Sequence, residues 1–256
     1  MTLGEEVFRT RDADGVINVY QNGDRRSLCF GNVVEQSGMS LADPSLLLFN
    51  YTRAMMLGAV LAPDPRRALV LGLGGGSLAR ALHRHFPRCR ITAVEQRAAV
   101  LEVARQWFAL PDDHRLGVHV GDAQGFLAER RPSAELIFAD LYDGEGMDAQ
   151  QMASEFFALC RQSLSPGGVA VFNLWSGRYF RDQAIKESLD AVFDGQVLRL
   201  SAPGRNRIVF GFRDPIPALK EQPFYQQAQQ LGLNMGFPLL REAQRLWLQH
   251  QAQLRG

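Results

Sequence analysis

The passage that most constrains this 256-residue chain is Ala68-Leu69-Val70-Leu71-Gly72-Leu73-Gly74-Gly75-Gly76-Ser77. Its first half is an unbroken apolar run, the pattern of a parallel strand buried on both faces. Its second half places glycines where a strand turns into a helix, which lets backbone approach a ligand closely. The helix that follows, from Ser77 to Phe86, directs free N–H groups toward an anion such as a carboxylate or phosphate. A tight strand–helix turn with no ligand is the plain alternative.

The rest of the chain repeats the alternation. Strands are predicted at 90–95, 117–120, 136–140 and 168–173, with helices at 98–108, 123–129 and 154–163 between them. Connections of this kind imply right-handed crossovers and a doubly wound sheet. After a helix at 182–193, strands at 196–201 and 206–212 are joined through Pro203-Gly204, too short for a crossover, so this last pair is antiparallel. Upstream, Val16–Tyr20 and Arg26–Phe30 flank Gln21-Asn22-Gly23-Asp24, a hairpin signal whose central residues take positive φ. The segment 33–38 adds a further strand. From Asp43-Pro44 to Leu61 the apolar spacing is helical, with Asp43 as cap and Pro44 at the first position. Beyond Pro215 a Gln- and Leu-rich tail reads as helix, with Leu239, Leu240, Ala243, Leu246 and Trp247 on one face.

Composition removes several function classes. With 46% hydrophobic and 21% charged residues the chain is globular, and a net charge of +1 gives no reason to expect nucleic acid or an anionic membrane as partner. Cys29, Cys89 and Cys160 are far apart and odd in number, so neither a disulfide framework nor a metal site is expected. The five histidines form no constellation and no GxSxG elbow is present, which disfavours hydrolase chemistry. The first residues hold no apolar leader, and no apolar run approaches the ~20 residues of a spanning helix, so the expected location is the cytoplasm.

Chemistry gathers where the predicted strands end. Glu95, about twenty residues beyond the glycine loop, is placed to take both ribose hydroxyls of a nucleoside. Loop and acid together do not separate a dinucleotide oxidoreductase from an enzyme of the S-adenosylmethionine type. Two features favour the second: Gly121-Asp122-Ala123 offers a carboxylate to an adenine amino group, and an antiparallel pair follows the fifth strand. Ser77 also stands where GxGxxG requires glycine. A simple helix cap is the alternative for Asp122. Asp140, ending the fourth strand, faces the transfer position, with Asp143 on the loop beyond it. Two carboxylates can hold an ammonium and take its proton to release a nucleophilic amine. With Glu145 and Asp148 nearby the mouth is acidic and suits a cationic substrate.

In order and spacing these residues resemble the spermidine synthase (polyamine aminopropyltransferase) family. The likeness runs from about Val16 to Phe212. It takes in Val34-Glu35-Gln36-Ser37, the Tyr51 helix, the glycine loop ending Leu78-Ala79-Arg80, Glu95, Gly121-Asp122-Ala123 and Asp140-x-x-Asp143. It also includes Glu155-Phe156-Phe157 and Leu164-Ser165-Pro166-Gly167-Gly168. The resemblance implies decarboxylated S-adenosylmethionine as donor and methylthioadenosine as product. Gln36 would contact the thionucleoside, along with Gly72, Gly74, Gly75 and Gly76 of the loop. Glu95 would hold the ribose, and Asp122 and Ala123 the adenine. Tyr51, Asp140 and Asp143 would bind an amine such as putrescine or another polyamine, Asp140 deprotonating it with Asp143 beside it. A homodimer is implied as well.

The chain departs from the family pattern at several positions. Gly75 stands where the loop has Asp, Thr52 and Arg53 where His or Gln and Glu are usual, Arg97 where Asp is usual, and Gly144-Glu145-Gly146 where Pro follows. A bare Gly75 leaves room for the carboxylate of intact S-adenosylmethionine, which would give S-adenosylhomocysteine in a methyl transfer. A non-catalytic nucleoside-binding dimer is the third reading. The expected plan is an α/β chain with a mostly parallel, methyltransferase-like Rossmann sheet and an antiparallel last strand. Residues 1–40 form a β-hairpin unit, 41–214 the nucleoside-binding transferase unit and 215–256 a helical extension.

Overall fold

The computed structural model describes residues 3–31, 35–131, 133–142, 153–175, 182–203 and 206–255. Asp143, Glu145, Asp148, Val33 and Val34 therefore lie outside the described residues. The first four strands, β1 (Glu5–Asp12), β2 (Gly15–Asn22), β3 (Arg25–Phe30) and β4 (Glu35–Ser40), form an antiparallel meander in chain order. The sequence reading lacked β1, a polar strand whose residues are mostly exposed or half-buried. The β2–β3 turn also sits one residue later than expected. Asn22 pairs with Arg25, so Gly23 and Asp24 are central, and only Gly23 (φ 57°) has a positive φ.

The expected helix from Asp43 begins only at α1 (Asn50–Met55), followed by α2 (Leu57–Leu61). The reason is competition for carbonyls. Arg80 Nε donates to Pro44 O (2.6 Å) and Arg53 Nε to Leu47 O (2.7 Å), so acceptors that a helix would need are taken by guanidinium groups. Asp43 instead caps a local turn, accepting from Ser45 N at 3.0 Å.

The large sheet contains β5 (Arg67–Leu71), β6 (Arg90–Glu95), β7 (Leu116–Val120), β8 (Ala134–Ala139), β9 (Leu164–Trp175), β10 (Val197–Ala202) and β11 (Asn206–Phe212), in the order β10-β11-β9-β8-β5-β6-β7. The pairs β5–β6, β6–β7, β5–β8 and β8–β9 are parallel. Strand β11 runs antiparallel between β9 and β10, so the expected reversal at the end of the sheet is present. The turn Ser165–Gly168 does not break β9. It bulges between the pairs Ala134–Leu164 and Leu136–Val169.

Helices α3 (Ser77–His85), α4 (Ala98–Trp107), α5 (Ala123–Arg130), α6 (Ser154–Gln162) and α7 (Asp182–Val192) alternate with the strands, and α8 (Glu221–Met235) and α9 (Leu240–Arg255) form the tail. Successive strand residues serve opposite faces. Ala68, Val70, Leu136, Phe138, Val169 and Val171 pack with α1–α3 and the tail helices, whereas Leu69, Leu71, Ile137, Ala139, Ala170 and Phe172 pack with α5–α7. Tail residues Phe224, Leu246 and Trp247 thus belong to the same apolar layer as the glycine-loop helix. A third cluster, including Ile17, Leu28, Phe30, Val100, Val103 and Phe108, joins the meander to α4. No described helix is long and apolar enough to cross a membrane.

Helix α2 touches the sheet through Gly58, where a Cβ would lie 2.4 Å from Val171 Cγ2 and 3.1 Å from Leu136 Cδ1. Gly58→Ala gains about 1 kcal/mol of helix propensity but loses about 1–3 kcal/mol to overpacking. Overpacking against a strand at the centre of the sheet dominates. The expected outcome is a melting temperature several degrees below wild type; one equal to or above it would show that α2 shifts freely.

Candidate functional site

Strand order reverses between β5 and β8, and at such a switch point the carboxyl ends of the strands open a crevice. Gly72 leaves β5 there with φ 90°, and a Cβ on it would lie 2.3 Å from Asp140 O. Only glycine fits both the conformation and the approach. Asp140 N donates to Leu71 O at 2.9 Å, so the ends of β5 and β8 are joined directly.

Side chains from three directions bind the backbone of the glycine loop. Glu95 Oε2 accepts from Leu73 N (3.2 Å) and Gly74 N (3.1 Å), and its Oε1 accepts from Arg97 N (3.0 Å). Ser37 Oγ accepts from Gly75 N at 2.9 Å, and Ser77 Oγ donates to Gly38 O at 3.3 Å, fastening β4 to the loop. Arg80, 3% exposed, donates to Gly75 O, to Phe108 O (2.8 Å) and to Pro44 O. Burial away from any carboxylate draws its guanidinium down to about 9, so it remains a cation at neutral pH. Burial pushes the Glu95 carboxyl up, while the N–H groups of Arg97, Gly74 and Leu73 pull the other way.

Gly75 is not open on its Cβ side. A Cβ there would meet Ser37 Cβ at 2.9 Å and Phe108 Cδ1 at 3.1 Å. The room expected at this position is already filled by those two side chains. Gln36 precedes Ser37 at a register slip in β4, with Leu28 opposite Ser37 and Cys29 opposite Glu35, and is half-buried. Asp122 ends β7 and caps α5, its Oδ2 accepting from Gly125 N at 2.5 Å, and Ala123 is the buried first residue of that helix. The helix-cap alternative for Asp122 is therefore present in the structure, and its other oxygen makes no hydrogen bond among the described residues. Gly74 and Gly76 both take positive φ within the loop.

Asp140 lies across the switch point from this loop. Its Oδ1 accepts from Asn173 Nδ2 at 2.8 Å, and the Tyr51 hydroxyl lies near enough to the same carboxylate to help hold its pKa down. Tyr51 is itself stacked on Phe49, centroids 5.7 Å apart. Asp140 retains some solvent contact but sits deep in the crevice, and loss of hydration pushes it up to about 6 against the pull of these two donors. Burial likewise raises Tyr51 and Tyr142, and the Asp140 charge adds to both. Three useful residues were missed from sequence. Asn173 is 1% exposed, a buried amide within an apolar strand that needed a partner; that was its signal. Ser37 and Tyr142 stood inside quoted segments without a role.

The unusual residues are used structurally. Thr52 donates from its hydroxyl to Phe49 O at 2.8 Å, and Arg53 lies 5.5 Å from the Phe237 ring centroid. Arg97 pairs with Asp12 at 2.6 and 2.9 Å, donates to Gly15 O, and covers the Phe30 ring at 4.6 Å. Among the described residues, no group of three or more His, Cys, Asp or Glu could hold a metal ion.

With this geometry in hand, comparisons with known proteins give a consistent picture. The family model described as the spermine/spermidine synthase domain matches residues 48–190. A polyamine aminopropyltransferase of Chromobacterium violaceum is 34% identical over 226 residues, covering 86% of each chain. The chain belongs to the spermine/spermidine synthase family. The sheet is the mostly parallel, methyltransferase-like Rossmann sheet expected of it. A probable spermidine synthase from Corynebacterium glutamicum superposes with a TM-score of 0.74 at 23% identity, over 93% of this chain and 90% of that one, which speaks for the fold. Human methyltransferase-like protein 13, solved in complex with SAH, has a TM-score of 0.65 at 29% identity, over 74% of this chain and 93% of that one.

A carboxyl raised from 3.8 to about 6 weakens the folded state as pH climbs through that window, because its charge is less well solvated inside than out. Asp140→Asn removes that charge. The variant should melt above wild type at pH 8, with the difference fading below about pH 4, where Asp140 is protonated in both states. A variant less stable than wild type at pH 8 would mean that the carboxylate is a net structural asset.

Proposed function

We propose that this chain transfers an aminopropyl group from decarboxylated S-adenosylmethionine to a small amine such as putrescine, releasing methylthioadenosine. One observation carries the reading: a deep carboxylate, Asp140, held by Asn173 and Tyr51 at the switch point beside the glycine loop. Family membership and the named activity of the Chromobacterium relative support it.

In this reading Asp122, Glu95 and the loop from Gly72 to Gly76 line the donor side, adenine toward Asp122 and ribose toward Glu95. Three strand spacings, about 14 Å, separate the ends of β7 and β8. Glu95 meets the ribose while still bonded to loop N–H groups, so binding draws on its remaining lone pairs. Gln36 adjoins the thionucleoside. The acceptor enters as an ammonium against Asp140, with Tyr51 alongside and Asp143 assigned to the same task. Asp140 takes its proton, the freed nitrogen attacks the carbon next to the sulfonium, and the C–S electrons leave with methylthioadenosine.

Raising Asp140 helps the proton step. A carboxylate with an ordinary acidity lies about 9 kcal/mol from an ammonium of pKa ~10.4, and one at about 6 lies about 6 kcal/mol away. Exclusion of water and alignment supply the rest.

A second reading, methyl transfer from intact S-adenosylmethionine, is favoured by two observations: no loop carboxylate is present at Gly75 to meet the donor's amino group, and the 29% identical human structure holds SAH. Mass spectrometry of reactions with either donor and 1,4-diaminobutane separates the two. We expect an aminopropylated product from the decarboxylated donor alone; methylated product and no aminopropyl transfer would replace the first reading with the second. Asp140→Asn should lower kcat/KM by at least about a hundredfold while methylthioadenosine affinity stays within about threefold. In wild type, log(kcat/KM) should fall with unit slope below about pH 6, where Asp140 gains its proton. Asn173→Leu removes a donor to the carboxylate, so the same limb should move to higher pH; an unmoved limb assigns it to another group.

A further inference from the structure

Leu141 and then Tyr142, which sits in a β-bridge, follow Asp140, and in strand-like backbone neighbouring side chains alternate sides. Leu141 packs into the apolar layer under α5–α7 and adjoins Gly72. Asp140 and Tyr142 therefore share the opposite side, where Tyr51 of α1 packs. The three groups are close enough for charge on Asp140 to act on both phenols, and for the two phenols to act on each other.

The two hydroxyls differ in one respect. The Tyr51 hydroxyl is directed at Asp140 closely enough for each to shift the other, and it is not among the buried polar atoms that lack a partner. The Tyr142 hydroxyl is sealed from bulk solvent and makes no hydrogen bond among the described residues. A buried hydroxyl left without a partner is rare in a folded protein and calls for an explanation. Among the described residues nothing hydrogen-bonds the Tyr142 hydroxyl, although its backbone joins a β-bridge, and the Asp140 charge is near enough to act on it.

We propose that Tyr142 is a specificity-determining residue: its phenolic oxygen accepts one N–H of a primary ammonium, whose other two go to the Asp140 carboxylate and the Tyr51 oxygen. The inference rests on the aminopropyl-transfer reading and adds the side chain that selects a primary over a secondary amine. When Asp140 takes its proton, the nitrogen keeps two N–H groups. The two phenols hold both, and the lone pair is left on the side from which Asp140 took the proton, where the donor carbon has to meet it. A secondary ammonium has only two N–H groups. With one given to Asp140, a single N–H remains for two phenols, and a buried oxygen stays unpaired.

Steady-state kinetics with 1,4-diaminobutane and its N,N′-dimethyl analogue, in which either attacking nitrogen is secondary, test this. Wild type should prefer the primary diamine by at least about tenfold in kcat/KM. Tyr142→Phe should raise KM for the primary diamine about tenfold, leave the KM or inhibition constant of the dimethyl analogue within twofold, and keep kcat within threefold. Its ligand-free melting temperature should not fall, since no bond is lost. A purely steric role for Tyr142 would instead improve the analogue and spare the diamine, and would overturn the proposal. So would equal effects on both amines, no effect on either, or a clear drop in melting temperature. Wild-type protein that aminopropylates no diamine overturns the functional reading and this inference together; active wild type with unchanged selectivity in Tyr142→Phe overturns the inference alone.

Discussion

A glycine-rich turn has no side chains of its own to hold it, so its shape has to come from elsewhere. In this chain the N–H groups of Leu73, Gly74 and Gly75 are received by Glu95 and Ser37, and the Gly75 carbonyl by Arg80. Glycine loses more conformational entropy on folding than any other residue, and charge-assisted bonds of roughly 1.5–3 kcal/mol each offset that loss. Everything else at the carboxyl edge depends on this arrangement. The loop positions α3, Gly72 fixes the gap between β5 and β8, and the gap sets the position of Asp140.

The same contacts explain why this chain can depart from its family and keep the fold. Arg97 ties the meander to the end of β6 through Asp12, Gly15 and Phe30, and its own N–H bonds to Glu95. A residue bonded to Glu95 thus also holds the small sheet that carries Ser37. At Gly75 the volume of a larger side chain is occupied by Ser37 and Phe108, so glycine there is matched by its neighbours. Arg53, in place of an acid, turns back to Leu47 O and Phe237, away from Asp140's partners.

The legible parts of the sequence were those governed by local rules. Parallel strands announced themselves as apolar runs, and glycine at 72–76 with acids at strand ends marked the edge where the candidate residues lie. Long-range competition was not legible. Nothing near Pro44 or Leu47 indicates that arginines 36 and 6 residues away will take their carbonyls and delay the helix to Asn50. Polar β1 lacked an apolar stripe because its pairing, not its burial, holds it. Asn173 could have been flagged as a buried amide, but its partner, 33 residues distant, is set by the β8–β9 pairing.

The two sides of the crevice are built differently. In the proposed reading the donor side consists of backbone and of acids bonded to backbone: Glu95 on the loop, Asp122 on Gly125 N. Substitution there disturbs the turn itself. The acceptor side of that reading has Tyr51 from α1, Asn173 from β9, and Asp140 and Tyr142 after β8, which act on one another through side chains. A change from Tyr to another residue at 51 or 142 alters what nitrogen fits without touching the bonds that shape the glycine loop. In the proposed reading, donor recognition is therefore constrained by folding, whereas the acceptor side can change with fewer consequences for the loop, and the Tyr142 phenol, with no hydrogen bond among the described residues, is one position where such a change costs the fold little.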